Sequence, residues 1–214
     1  MTVAAVVVAG GRGARFGGLK QFSILAGESV AARSVRATRS VAGYVVLVVP
    51  DGYTTCDEGA DVVVSGGETR ADSVRAGLHA LPDCDVVVVH DAARPLASPR
   101  LFAAVVDAIA QGADAAIPGL SITDTVKRVV GREGRSVVAA TVDRSDLVTV
   151  QTPQAFRRSV LERAHAALDV ATDDAALVEA IGGTVVVVVG DPENVKITEP
   201  ADLQRVATAL GLNS

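Results

Sequence analysis

Short valine-rich runs recur along the chain: VAAVVVA (3–9), YVVLVV (44–49), DVVV (61–64), DVVVV (85–89) and TVVVVV (184–189), with DAAIP (114–118) a weaker sixth. Continuous apolar runs, as opposed to alternating ones, mark strands covered on both faces, the habit of a parallel sheet. Between them, residues 27–41, 70–81, 99–111, 157–168 and 173–182 carry apolar side chains at helical spacing. This alternation predicts an α/β fold: a Rossmann-like, mostly parallel sheet flanked by helices.

One segment breaks the rhythm. Residues 121–146 (SITDTVKRVVGREGRSVVAATVDRSD) hold two β-like runs around GREGR and no helical pattern, which predicts an antiparallel hairpin inserted late in the sheet. Val129, Val130, Val137 and Val138 have little neighbouring chain to cover them. The hairpin therefore either packs on a second subunit or folds back on its own domain. No linker, repeat or low-complexity tract divides the chain, so residues 1–214 read as a single domain.

A length of 214 residues suits one α/β domain and buries roughly 70% of the unfolded surface. The apolar half of the composition is mainly Val and Ala, with 3% aromatics and no Trp. So few aromatics argue against stacking platforms for single-stranded nucleic acid. A net charge of −5 argues against a general grip on nucleic acid or an anionic membrane, so an anionic ligand needs a local cluster of cations. Cys56 and Cys84 lack metal-ligand spacing and read as two thiols of a reducing cytoplasm. The start, MTVAAVVVAGG, lacks a basic region and a long apolar core and so reads as a strand, not as a signal peptide. No apolar run approaches the ~20 residues of a membrane helix. His79, His90 and His165 have no ligand spacing, and no G-x-S-x-G elbow occurs.

The chemistry concentrates where strands end. In VVVAGGRGARFGGLKQF (6–22), a Walker A loop fails because Leu19 follows Gly18 where lysine should stand. A dinucleotide fingerprint fails because Phe16 takes the third glycine position and no acidic residue lies between Glu28 and Asp51. What remains is a glycine-rich turn, either ordinary or shaped for an anion, with Arg15 and Lys20 supplying charges that suit a triphosphate. SGGETRADSV (65–74) ends a strand in Gly66-Gly67 and starts a helix near Arg70, with Ser73 in its first turns. VVVVHDAARP (86–95) delivers His90, Asp91 and Arg94 to a strand's carboxyl edge. Asp91 there suits Mg²⁺, which binds through one or two carboxylates plus phosphate oxygens, or equally an ion pair with Arg94. Lys196, in DPENVKITEP, reads by itself as a solvated charge, and Thr172 as the N-cap of a helix whose Asp173 and Asp174 complement the dipole.

Taken in order, A-G-G-x-G-x-R-F, K-Q-F, G-G-E-T-R-x-D-S-V, H-D-A-A-R-P, D-T-V-K, T-V-D-R, Q-T-P-Q and N-x-K-I-T-x-P-x-D-L resemble the 2-C-methyl-D-erythritol 4-phosphate cytidylyltransferase family, from about residue 3 to 212. The resemblance implies a nucleotidyltransferase-type fold. It also implies conversion of CTP and methylerythritol phosphate, with Mg²⁺, to CDP-methylerythritol and pyrophosphate in the non-mevalonate isoprenoid pathway. It makes 121–146 a β-arm embracing the partner of a homodimer. Carried over by motif, Arg15, Lys20 and Lys196 hold phosphates and stabilise the charge at the reacting phosphorus. Ala9, Gly10, Gly11, Gly67, Glu68 and Ser73 frame cytidine, and Asp91 faces the metal and ribose phosphate. Ala92, Arg94 and Thr172 lie near methylerythritol phosphate, Thr125 and Arg144 reach it from the neighbouring arm, and Thr152 supports its pocket. One departure stands out: RFGGLK is shorter than the family's usual stretch and has Leu19 where the family has proline. A ribitol-5-phosphate cytidylyltransferase shares most of these motifs and is the alternative reading. A nucleotide-binding regulatory protein is a second, against which the joint presence of Arg15, Lys20, Asp91 and Lys196 speaks.

Overall fold

The computed structural model describes residues 1–11, 13, 16–54, 58–132, 134–167 and 172–212. The strands are β1 (Val3–Val8), β2 (Ile24–Leu25), β3 (Glu28–Ser29), β4 (Tyr44–Val49), β5 (Val62–Ser65), β6 (Val86–Asp91), β7 (Ala115–Ser121), β8 (Val126–Arg132), β9 (Arg135–Val142), β10 (Val148–Val150), β11 (Gln154–Arg157) and β12 (Val185–Val189). The helices are α1 (Val30–Thr38), α2 (Arg70–His79), α3 (Pro99–Ala110), α4 (Arg158–Ala167), α5 (Asp174–Ala180) and α6 (Pro200–Ala209). All six valine-rich runs are strands, and each stretch with helical spacing contains a helix.

Strands β7, β6, β1, β4 and β5 follow in that order across the main sheet, with β11 between β7 and β6 and β12 paired to β7. The β6–β1, β1–β4, β4–β5 and β7–β12 ladders are parallel, whereas β11 runs antiparallel to both its neighbours. The sheet is thus mostly parallel, as the apolar runs require. Strands β10 and β11 were not foreseen, because VTV and QAFR are too short to show a strand period by themselves. Pairing with strands already built supplies what their own pattern lacks.

Successive residues of each central strand point to opposite faces. Ala5 and Val7 pack beneath α1 and α3, with Val35, Phe102, Val105 and Ile109, whereas Ala4 and Val6 pack beneath α2, α4 and α5, with Val74, Leu78, Leu161 and Val178. Small residues let α2 approach β1 closely: a Cβ on Gly77 would lie 2.4 Å from Val6 Cγ1. Gly77→Ala should destabilise the protein by about 1–3 kcal/mol through overpacking, despite the ~1 kcal/mol better helix propensity of alanine. Urea unfolding measures this, and an unchanged midpoint would contradict it.

The antiparallel hairpin expected over 121–146 is present: it is inserted between β7 and β10 of the main sheet, and its strands β8 and β9 form a two-stranded sheet of their own. Its valines are uncovered, with Val129 and Val138 54% and 57% exposed. One expectation needs correction, for not every valine run lies covered on both faces. In β12, Val187 and Val189 are 51% and 88% exposed, since this strand pairs with β7 at a margin of the sheet.

Candidate active site

The carboxyl ends of β1, β5 and β6 open onto one cleft of about 440 Å³, where ligands sit in open α/β sheets. Ala9, Gly10 and Gly11 line it after β1, Gly67, Glu68 and Ser73 around the start of α2, and Asp91 and Ala92 at the end of β6. Lys20 and Lys196 border the same space. Ten of the residues singled out in the sequence thus converge, from segments nearly two hundred residues apart. Arg15 lies outside the described residues, as does Cys56.

Local chemistry shapes each wall. At the start of α2, the Thr69 hydroxyl accepts from the Asp72 amide at 3.1 Å while the Asp72 carboxylate accepts from the Thr69 amide at 3.0 Å, a reciprocal cap that fixes the first turn. A Cβ on Gly67 would sit 2.2 Å from Asp72 Cβ, so only glycine brings this backbone against the cap. Buried Gln21 donates from Nε2 to the carbonyls of Ala9 (2.7 Å) and Gly11 (3.1 Å). It props the glycine loop open, a role invisible in the K-Q-F string. Lys20 Nζ donates to the Ile197 carbonyl at 2.5 Å, tying the first loop to the segment that carries Lys196.

Asp91 is the electrostatic centre. Its Oδ2 lies 2.6 Å from Lys196 Nζ and its Oδ1 3.4 Å from Arg70 Nε. Burial alone would raise its pKa, but the Arg70 and Lys196 charges outweigh that and hold the carboxyl well below the usual carboxylate range. Asp91 therefore pairs with Arg70 and Lys196, not with Arg94, and Lys196 is an ion-paired wall residue and not a solvated charge. Arg94 bonds elsewhere: its Nη1 donates to the Asn194 carbonyl at 2.8 Å, and burial lowers its pKa. His90 is a packing residue, fully buried against the Phe102 ring at 5.0 Å, with its pKa pushed down to about 4, chiefly by burial.

Thr152 lies behind the cleft. Its hydroxyl accepts from the Asp91 amide at 3.0 Å and lies 3.3 Å from His90 Nδ1, so it braces the end of β6. Thr125, Arg144 and Thr172 are exposed and do not line the cleft of their own chain. The Arg144 guanidinium donates to the Thr123 carbonyl at the root of the hairpin. Asp173, not Thr172, caps α5, accepting from the Ala176 amide at 3.0 Å. The aspartate carboxylate reaches the free amide from one position nearer the helix.

Arg70 is the wall residue that sequence reading left without a role. It lines the cleft and spans two carboxylates, with Nη1 2.6 Å from Asp174 Oδ2. The spelling E-T-R at a helix start carried no sign of this, because Asp174 stands 104 residues away. Among the described residues, no group of three or more His, Cys, Asp or Glu gathers as a metal-ligand set. One carboxylate at the mouth of a cationic cleft instead fits a Mg²⁺ that shares its coordination with phosphate oxygens. A cleft lined by Lys20, Arg70 and Lys196 together with glycine backbone suits a polyphosphate joined to a flat polar group.

The profile of the 2-C-methyl-D-erythritol 4-phosphate cytidylyltransferase family matches residues 3–211. The enzyme of that name from Rhodococcus jostii (strain RHA1) is 44% identical over 210 residues, covering 94% of this chain and 92% of its own. A bifunctional enzyme IspD/IspF from Anaeromyxobacter sp. (strain Fw109-5) is 45% identical over 97% of this chain, which spans 57% of that longer protein. The crystal structure of the Thermus thermophilus cytidylyltransferase superposes with a TM-score of 0.82 at 37% identity, covering 98% of each chain.

Proposed function

This chain belongs to the 2-C-methyl-D-erythritol 4-phosphate cytidylyltransferase family, and from that membership we propose that it transfers the cytidylyl group of CTP to 2-C-methyl-D-erythritol 4-phosphate. The products are CDP-methylerythritol and pyrophosphate, a step of non-mevalonate isoprenoid synthesis. The observation that carries the reading is the convergence of Lys20, Lys196 and Asp91 on a glycine-walled cleft.

The sugar phosphate needs no general base, because a phosphate monoester, with a second pKa of about 6, is already ionised near neutral pH. Its oxygen attacks the α-phosphorus of CTP as the bond to pyrophosphate breaks, and the electron pair of that bond leaves on pyrophosphate. The protein's task is to align two polyanions and to spread positive charge over the five-coordinate transition state. Lys20 and Lys196, joined by Arg15, carry that charge. Ala9, Gly10, Gly11, Gly67, Glu68 and Ser73 frame the nucleoside. Magnesium, held by Asp91, supplies neutralisation of the triphosphate when bound. Ala92, Arg94 and Thr172 border the sugar phosphate, and Thr152 acts through the end of β6.

Thr125 and Arg144 act from the arm of a second copy, for which the uncovered valines of the separate β8–β9 sheet are the support. On this reading the chain works as one catalytic domain with 121–146 as a dimerisation arm, in the reducing cytoplasm. Val129→Asp combined with Val138→Asp should convert a dimer into a monomer, measured by light scattering, and lower turnover by roughly 10-fold or more as the partner's substrate contacts are withdrawn. A dimer of undiminished activity would overturn the arm's role.

The reaction is tested by supplying CTP and Mg²⁺ with either methylerythritol phosphate or ribitol phosphate and following pyrophosphate release. Release with the first alone is expected. Release with ribitol phosphate alone, or with neither, would overturn the proposal.

A further inference from the structure

A continuous chain of polar contacts runs from the buried side of α4 into the wall of the cleft. His165 Nε2 lies 3.0 Å from Asp174 Oδ1, Asp174 Oδ2 lies 2.6 Å from Arg70 Nη1, Arg70 Nε lies 3.4 Å from Asp91 Oδ1, and Asp91 Oδ2 lies 2.6 Å from Lys196 Nζ. It links α4, α5, α2, β6 and the segment after β12. The carboxylates in it are the buried members, Asp174 at 1% and Asp91 at 11% side-chain exposure, whereas the two cations are more open, Arg70 at 31% and Lys196 at 45%.

We infer that Arg70 is the positioning residue of Asp91, anchored by Asp174 so that the Asp91 carboxylate stays compensated and oriented when Lys196 leaves it for a phosphate oxygen. The inference rests on the proposed cytidylyl transfer. In the free protein both oxygens of Asp91 are engaged, one by each cation. The two cations are not equivalent. A guanidinium is a planar fork that can bind two carboxylates at once, whereas a lysine ammonium is a point charge on a flexible stem. Arg70 is the first residue of a capped helix and is pinned to buried Asp174, so it cannot follow an incoming phosphate without abandoning that carboxylate. Among the described residues Lys196 has no such anchor, and it is the more exposed of the two.

Asp91 is only 8% exposed, so water compensates poorly for a lost cation around it. Lys196 is therefore free to move only if Arg70 remains. Without Arg70, Asp91 and Lys196 would form an isolated pair, and the phosphate would have to break it. Asp174 acts one step further back. With His165 on its other oxygen, it faces Arg70 as a fixed carboxylate and holds the fork in register.

The test is a double-mutant cycle with two readouts. Arg70→Gln should lower kcat roughly 10- to 100-fold, as loss of a residue orienting a ligand-binding carboxylate does, while the KM for CTP changes by less. In an Asp91→Asn background the same substitution should cost less than about threefold, because no carboxylate charge is left to orient. Independently of turnover, acetylation of Lys196 in the free protein, followed by mass spectrometry, should slow in Arg70→Gln and be indifferent to Arg70 in Asp91→Asn. Asp174→Asn, which keeps Arg70 and the side-chain volume, should give the same pattern in weaker form and serves if Arg70→Gln does not fold. Losses that multiply in the Asp91→Asn background, or a Lys196 reactivity unaffected by Arg70→Gln and Asp174→Asn, would overturn the inference. A wild-type protein that releases no pyrophosphate would overturn the proposed reaction, while the labelling cycle would still decide the role of Arg70.

Discussion

Lys196→Ala lowers turnover by roughly 100- to 1000-fold, the usual consequence of removing one charge donor from a transition state. Lys196 lines the cleft, with its ammonium 2.6 Å from Asp91 and 45% of its side chain exposed. It can reach a phosphate, and its loss leaves no cavity in the core. Stability should therefore move by no more than about 1 kcal/mol, the range of a partly exposed ion pair. Negative charge builds at the α-phosphorus only as the bonds rearrange, so kcat should fall further than the KM for CTP rises. Pyrophosphate release at saturating substrates, set beside a urea melt, separates the two effects. Turnover within threefold of wild type would remove Lys196 from the mechanism.

Phe102→Ala costs about 3–5 kcal/mol of folding stability, as expected when a fully buried aromatic ring is truncated and its site collapses only in part. Phe102 projects from α3 with 0% exposure, in the core layer that holds Val105, Ile109 and the β6 residue Val88. Its ring also packs 5.0 Å from that of His90, immediately before Asp91. The cavity would open beneath the strand end that carries the central carboxylate. Denaturant unfolding should show the loss as a lower midpoint with an unchanged slope, and activity measured well below the melting point should fall as well. A stability loss under 1 kcal/mol would mean that α3 does not clamp the sheet as its burial indicates.

Much of this architecture is written in local pattern. Valine runs announced the six strands of the parallel framework, since a strand buried on both faces must be apolar throughout. Helical spacing located the helices between them, and the Thr69 and Ser98 caps fix where two of these begin. The glycine turns and the polar residues at strand ends marked the cleft, because a parallel sheet gathers its carboxyl ends on one edge. The isolation of the hairpin was half visible: its uncovered valines were read correctly, but its detachment from the sheet depends on which strands claim the edge of β7. Strand β11 shows the converse, a short tetrapeptide made into a strand by flanking ladders.

The chain's own order of residues thus determined the framework strands, the helices, the parallel sheet and most of the cleft walls, because each depends on side chains within one strand, helix or turn. Only the tertiary structure decided the electrostatics. Asp91 reads beside Arg94 in the sequence, yet it pairs with Lys196, 105 residues further on, and with Arg70, which in turn holds Asp174. A charge chooses partners by distance through space and by shared burial, and neither quantity exists until the strand ends and helices have been brought together.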